Sequence, residues 1–384
     1  MNHRERVAAV LDYRAYDALP IVHFGFWRAT LAKWRDEGYV SAEEAAAWTD
    51  ESAADKSIAG KLGFDFNWNC TFHVAAGLFP AFERMVLREH PDGTLEVRDT
   101  NGVTVREKRG VTSIPAEIDH LLKDRASWEA QYLPRLRYSP DRVHRCPKNE
   151  GTPYAPLIPA GVEYLRSPSR AEPAGLHCGS LLGEIRNWLG IEGLSYLAAD
   201  DEPLLGEIID TVGELSYRCV EEVLATGAVF DFAHFWEDIC FRSGPLVAPS
   251  LLRARAGPHY RRITGLLREH GVTIVSVDCD GRIDALIPAW IENGVNTMFP
   301  IEVGVWGGSI APWRAKYGRA LRGVGGVDKR VFARDFAAVD AEIERLKPLV
   351  ALGGYIPCPD HRLATDAVWD NVRYYCDRMR AVFA

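Results

Sequence analysis

The sequence is informative first in what it lacks. Its eight cysteines, at positions 70, 146, 178, 219, 240, 279, 358 and 376, form no Cys-x-x-Cys pair and keep no regular spacing. That excludes a disulfide framework and reads as reduced thiols in a cytoplasmic protein. No apolar run approaches the roughly eighteen residues a membrane-spanning helix needs. The N-terminal stretch MNHRERVAAVLDYRAYDALP is charged too early and too often for a secretory leader. Basic residues are outnumbered, 45 against 53 acidic, and are scattered. With no arginine-rich stripe and no aromatic–basic array, nucleic acid is excluded as a partner. There is no internal repeat and no low-complexity tract.

What is present is an ordinary globular composition, 384 residues with 47% hydrophobic and 26% charged, at a net charge of -8. Such a chain can bury a large core. Its length fits two domains or one α/β barrel with insertions. The stretch that decides between them is GVTIVSVDCDGRIDALIPAWIENGVNTMFPIE, residues 271–302. Thr273–Asp278 is β-branched and apolar, as a strand buried on both faces should be. Asp280-Gly281 breaks it. Ile283, Leu286, Ile287, Trp290 and Ile291 then recur at helical spacing, and Asn293-Gly294 stops the helix. Val295–Ile301 is the next strand. A β-α-β unit of this kind implies a parallel sheet, and ligands of such sheets sit beyond the carboxyl ends of the strands. Asp278 and Asp280 lie at one such end and Glu302 at another. On strict alternation Asp278 and Asp280 leave the same face, and Cys279 points away as a small buried apolar residue.

Before this unit, Leu19–Phe26 reads as a strand carrying His23, Phe24 and Trp27 at or near its end, and residues 29–48 read as helical. Met85–Glu107 alternates apolar and polar residues around Pro-Asp-Gly and Asn-Gly turns, which predicts a small antiparallel meander inserted in or beside the barrel. Residues 115–133 read as helical, and 139–159 as a proline-rich surface connection. Gly175–Cys178 ends a strand at His177. A helix follows from Ser180, and two more fill 191–227. Ala228–Phe235 is a strand closed by Trp236-Glu237-Asp238, whose adjacent acids suit either a rim position or a cap on the following segment. Further strands are predicted at Leu321–Val327 and Val350–Ile356, and helices at 258–270, 311–317, 331–347 and 366–381. His361 follows the last strand, so closure of a barrel brings it to face Asp278 and Asp280. The expectation is one (β/α)8 TIM-barrel domain over 1–384, with an N-terminal extension and the 85–107 meander. Its site is built from Asp278, Asp280, Glu302 and His361, as catalytic groups and as ligands for a divalent ion. His23, Phe24, Trp27, Trp68, His177, Trp236, Glu237 and Asp238 are expected around the substrate.

With these residues placed, the second half of the chain resembles the uroporphyrinogen decarboxylase superfamily, which also includes corrinoid-linked methyltransferases. The resemblance is carried by HCGSLLGEIRNWLGIEGL (177–194), by WEDICFRSGPLVAPSLLRARAGPHYRRI (236–263) and by SVDCDGRIDALIPAWIENGVNTMFPIE (276–302). GGVDKR (325–330) and GGYIPCPDHRLATDAVWDNVRYY (353–375) complete it. It implies a TIM barrel independently of the strand–helix alternation. The arginine-rich Met-Arg-Gln-Ala-Gly-Arg segment of true uroporphyrinogen decarboxylases is replaced here by HFGFWRATLAKW, with only Arg28. The methyltransferase branch carries a zinc site of His-x-Cys on the central strand and Cys after the last. The corresponding positions here are Asp278, Asp280 and His361, so every thiolate is replaced by oxygen or imidazole. The resemblance implies a methyltransferase moving a methyl group between a small methyl ether or methylamine and a corrinoid held by a partner protein. Its site would hold zinc or another divalent metal, or work by metal-free acid–base chemistry. The alternative is a cofactor-free decarboxylase using Arg28, Arg242 and Lys329 as carboxylate holders. A homodimer is the expected assembly.

Overall fold

The computed structural model describes residues 1–108, 115–144 and 161–384. Its strands, in chain order, are β1 (Val22–His23), β2 (Phe66–Asn67), β3 (Thr71–Phe72), β4 (Met85–Glu89), β5 (Thr94–Arg98), β6 (Val103–Lys108) and β7 (Ala116–His120). They continue with β8 (Gly175–His177), β9 (Phe232–Trp236), β10 (Cys240–Phe241), β11 (Gly244–Pro245), β12 (Val275–Asp278), β13 (Thr297–Ile301), β14 (Arg322–Val327) and β15 (Tyr355–Pro359). Seven of them form the central sheet, in the order β15-β14-β13-β12-β9-β8-β3. Every pair in it is parallel. The alternation of strands and helices along this sheet is consistent with a TIM-type barrel. A separate parallel pair joins β1 to β2. Just beyond β1, Phe26 bridges Leu363, which follows β15, with Trp27 donating its N–H to the Leu363 carbonyl at 3.2 Å.

Strands β9, β12, β13 and β15 are apolar because both faces are covered. Outside, helices pack on them; Tyr260, on the helix Gly257–Glu269, meets Phe235 edge-on at 5.0 Å. Inside, Trp68 stacks on Phe232 at 4.7 Å and Phe24 meets Phe299 at 4.6 Å. These four rings, all buried, form an aromatic floor beneath the carboxyl ends of the strands. The register sets the level above it. His177 lies opposite His234, His234 opposite Ser276, and Trp236 opposite Asp278.

The meander is present and larger than the sequence suggests. Strands β4 to β7 form an antiparallel sheet in chain order, with its own small core of Leu95, Val97, Val103 and Val105. Residues 116–120, expected to be helical, are its fourth strand; helical turns begin only at Arg125. Exposed β7 lacks an apolar stripe, and its pairing with β6 overrides the local helix signal. The last strand starts at Tyr355, after Gly353-Gly354, and not at Val350, which ends the helix Phe336–Val350. The predicted 29–48 helix is two, Arg28–Asp36 and Ala42–Ala47, and Ser41 caps the second. The helix Gly183–Asp200 breaks at Gly190, where φ is +66°, and Glu202–Ala225 follows it. Of the proline-rich connection, residues 145–159 lie outside the described residues. No disulfide links the described cysteines, all of which are buried. No described helix is long and apolar enough to cross a membrane.

Candidate active site

At the carboxyl ends of the parallel strands lies a cavity of 310 Å³. One wall is acidic. Asp278 ends β12, Asp280 follows it by two residues, and Asp238 stands two residues beyond β9. One carboxylate oxygen from each lies within 4.8 Å of the others. Asp238 sits at φ +41°, a left-handed conformation uncommon outside glycine, and in it the carboxylate accepts the Asp280 N–H at 2.9 Å.

The strain at Asp238 is held by its neighbour. Glu237 is fully buried, and its carboxylate accepts the N–H groups of Leu181, Leu182 and Gly183, each at 2.8 Å, and the hydroxyl of Tyr260. These amides open the helix Gly183–Asp200, where a carboxylate satisfies donors that have no partner within the helix. Glu237 is therefore fixed away from the cavity.

Electrostatically the wall is under load. Burial, then Asp238 and Asp280, raise the Asp278 carboxyl well above the ordinary carboxylate range. Burial and Asp280 push Asp238 up to about 6. Glu302 is pushed up to about 7 by burial and by Asp280, although it accepts the Gly281 N–H at 2.5 Å. It buttresses the turn behind Asp280 and is not among the groups lining the cavity. His361 Nε2 is 3.5 Å from Asp280 Oδ2, while its Nδ1 accepts the Arg362 N–H at 2.8 Å. An amide can only donate, so in the neutral ring the proton sits on Nε2 and faces Asp280. The ring stacks on Trp27, 5.5 Å away.

Three histidines lie on the opposite side. His177 ends β8, His234 lies within β9, and His73 stacks on His177 at 4.2 Å. Burial drives His177 down to about 4 and His234 well below the usual imidazole value. Phe24, Trp27, Trp236, Asn69 and Thr71 complete the lining with the Asp50–Arg362 ion pair, closed at 2.5 Å.

The structure thus brings together Asp278, Asp280, Asp238, His361, His177, Phe24, Trp27 and Trp236. It leaves four others outside the cavity lining, Glu302 among them. His23 is fully buried beneath Gly25, whose N–H it accepts at 3.1 Å, and lines a different, smaller cavity. Trp68 is in the aromatic floor, and Glu237 is the anchor described above. Asp238, and not Glu302, completes the oxygen cluster. His73 and His234 also line the cavity; nothing in the local sequence marks His73, whereas His234 lies two residues before Trp236 on the same face of its strand.

The cluster fits a cation. Among the described residues none of the three aspartates pairs with a lysine or arginine, His361 being the one basic side chain in ion-pair range. Asp280 Oδ1 is buried without a hydrogen-bond partner. An all-oxygen donor set suits a hard divalent ion such as magnesium or manganese.

No protein-family model and no curated protein matches the chain. Among solved structures it is similar to a methyltransferase from Methanosarcina mazei, with a TM-score of 0.61 and 13% identity over 100% of both chains. At that identity the likeness is one of fold. A B12-independent methionine synthase from a Shewanella species has a TM-score of 0.38 and 10% identity over 55% of this chain and 61% of its own. A putative one from Listeria monocytogenes has a TM-score of 0.37 and 11% identity over 96% and 100%. Both are too distant to carry an argument.

Proposed function

We propose that this chain is a methyl-transfer enzyme that removes a methyl group from a small methyl ether or methylamine and passes it to a reduced corrinoid on a partner protein. One observation carries the reading. In a fold that matches a methyltransferase along its whole length, three converging aspartates and a histidine open into a small aromatic-walled cavity at the carboxyl ends of the strands. A methyl ether or amine is a poor methyl donor because its leaving group is strongly basic. The leaving atom needs a proton or a Lewis acid as the carbon–heteroatom bond breaks. A carboxyl kept neutral among its neighbours is placed to give that proton, and His361 Nε2–H to donate a hydrogen bond to the leaving atom. Asp238, Asp278 and Asp280 would hold a divalent ion, which when bound supplies the Lewis acid. Trp27, Trp236 and Phe24 hold the methyl-bearing group and exclude water.

The same reading takes β1 and the β2–β3 segment with the other six central strands as eight staves of one closed barrel. The β1–β2 pairing and the Phe26–Leu363 bridge support closure. The decarboxylase alternative finds less support: Arg28 and Arg242 are exposed, Lys329 is outside the lining, and the one lining arginine is paired with Asp50.

Free cob(I)alamin, whose loss is followed by absorbance, can stand in for the partner-bound acceptor. A panel of methyl ethers and methylamines is expected to contain a donor that yields methylcobalamin with the wild type and not with Asp280→Asn. A panel in which nothing is demethylated, or in which the variant is as active as the wild type, contradicts the proposal.

A further inference from the structure

The wall opposite the aspartates has a fixed proton arrangement. His177 Nδ1 accepts the N–H of Gly179 at 3.1 Å. A cationic ring, protonated at Nδ1, cannot make that bond. The ring is therefore neutral, with its proton on Nε2. Burial, which pushes its pKa down, acts in the same direction. Nε2 makes no hydrogen bond to any described residue, yet the residue lines the cavity. Two features hold the ring there. His73 stacks on its face, and Gly179 at φ +92° has no room for a side chain, since a Cβ would come within 2.9 Å of the Ala76 Cβ. His234 is different. Its Nδ1 meets the Ser276 hydroxyl at 2.5 Å, and a hydroxyl can donate or accept, so its tautomer is not dictated.

We infer that His177 Nε2–H is a specificity-determining donor that selects, among methyl-bearing substrates, those carrying a second, neutral oxygen acceptor such as a hydroxyl or carbonyl. The inference deepens the methyl-transfer reading and rests on it. The opposite end of the cavity takes the methylated heteroatom, so a molecule spanning both walls needs two polar atoms. The second is uncharged for electrostatic reasons. At the wall that receives it a neutral imidazole cannot offset a carboxylate, and the lining arginine, Arg362, is committed to Asp50. The aromatic lining suits an aryl skeleton.

The test is equilibrium binding by calorimetry to purified wild type, His177→Leu and His177→Gln. The probes are anisole, the three isomeric methoxyphenols and 3-methoxybenzoate. At least one methoxyphenol is expected to bind wild type about fivefold or more tighter than anisole, the scale of one net hydrogen bond. That preference should vanish in His177→Leu and persist in His177→Gln, whose amide can still donate. 3-Methoxybenzoate should bind more weakly than the favoured phenol. Equal binding of anisole and every methoxyphenol, no binding of any probe, a preference that survives in His177→Leu, or tighter binding of the carboxylate each overturns the inference. If the leucine variant does not fold, the wild-type comparison decides alone. Because binding is read without turnover, a protein that shows this pattern and transfers no methyl group sinks the functional reading separately.

Discussion

Asp278 and Asp280 stand two residues apart on either side of a buried cysteine, and the strand period alone puts their side chains on one face. The sequence also showed His361 following the last strand. It could not show the third aspartate's role, because Glu237 and Asp238 look alike as neighbouring acids after a strand. What separates them is a set of amides 54–56 residues earlier in the chain, to which Glu237 is bound. Glu237→Ala should leave three buried N–H groups unpaired and cost about 3–5 kcal/mol in urea unfolding, while Glu237→Gln, keeping one acceptor oxygen, should cost less. Equal, small losses in both would show that the anchor is not structural. Asp280→Asn should behave in the opposite way. Turnover should fall at least about 100-fold with the unfolding midpoint nearly unchanged, because its carboxylate serves the cavity and not the fold.

At the scale of elements, the buried strands β9, β12 and β13 were legible because apolar runs bounded by Asp, Gly and Asn have few other readings. Strand β7 was not, since an exposed edge strand carries no alternation and takes its conformation from its partner. Two short segments, His23-Phe24-Gly25 and His177-Cys178-Gly179, share a pattern that spacing alone does not mark. In both, a strand-end histidine accepts the N–H of a glycine two residues on, and that glycine has positive φ. Gly179→Ala should therefore destabilise the protein by about 1–3 kcal/mol through strain and overlap with Ala76, and should loosen His177. A Gly179→Ala protein with wild-type stability and wild-type probe preference would mean that the turn does not orient the ring. The meander is held by a few residues of its own. Val97→Ala, at a fully buried position, should lower its protection in hydrogen exchange more than that of the central strands.

Across the whole molecule, the distribution of buried acids makes stability depend on pH. Glu184 lies beside Glu237, and burial with that neighbour pushes it up to about 7. A carboxyl whose folded-state pKa is raised favours folding in its protonated form. Its contribution is fullest below the unfolded pKa near 4.5 and is lost as pH rises towards 7. Glu184→Gln should accordingly gain urea resistance relative to wild type at pH 8 and little at pH 4; the reverse order would contradict this assignment. The aspartate cluster spans the carboxyl ends of two neighbouring strands. Alternation in the sequence suggested the strand ends, but only folding joined Asp238 from one strand to Asp278 and Asp280 from the next. Calorimetric titration of dialysed protein with magnesium and manganese tests that cluster most directly. Saturable binding of about one ion per chain is expected in the wild type, and its loss in both Asp238→Asn and Asp278→Asn. Absence of saturable binding, or binding unchanged in the two variants, would contradict a cation site there.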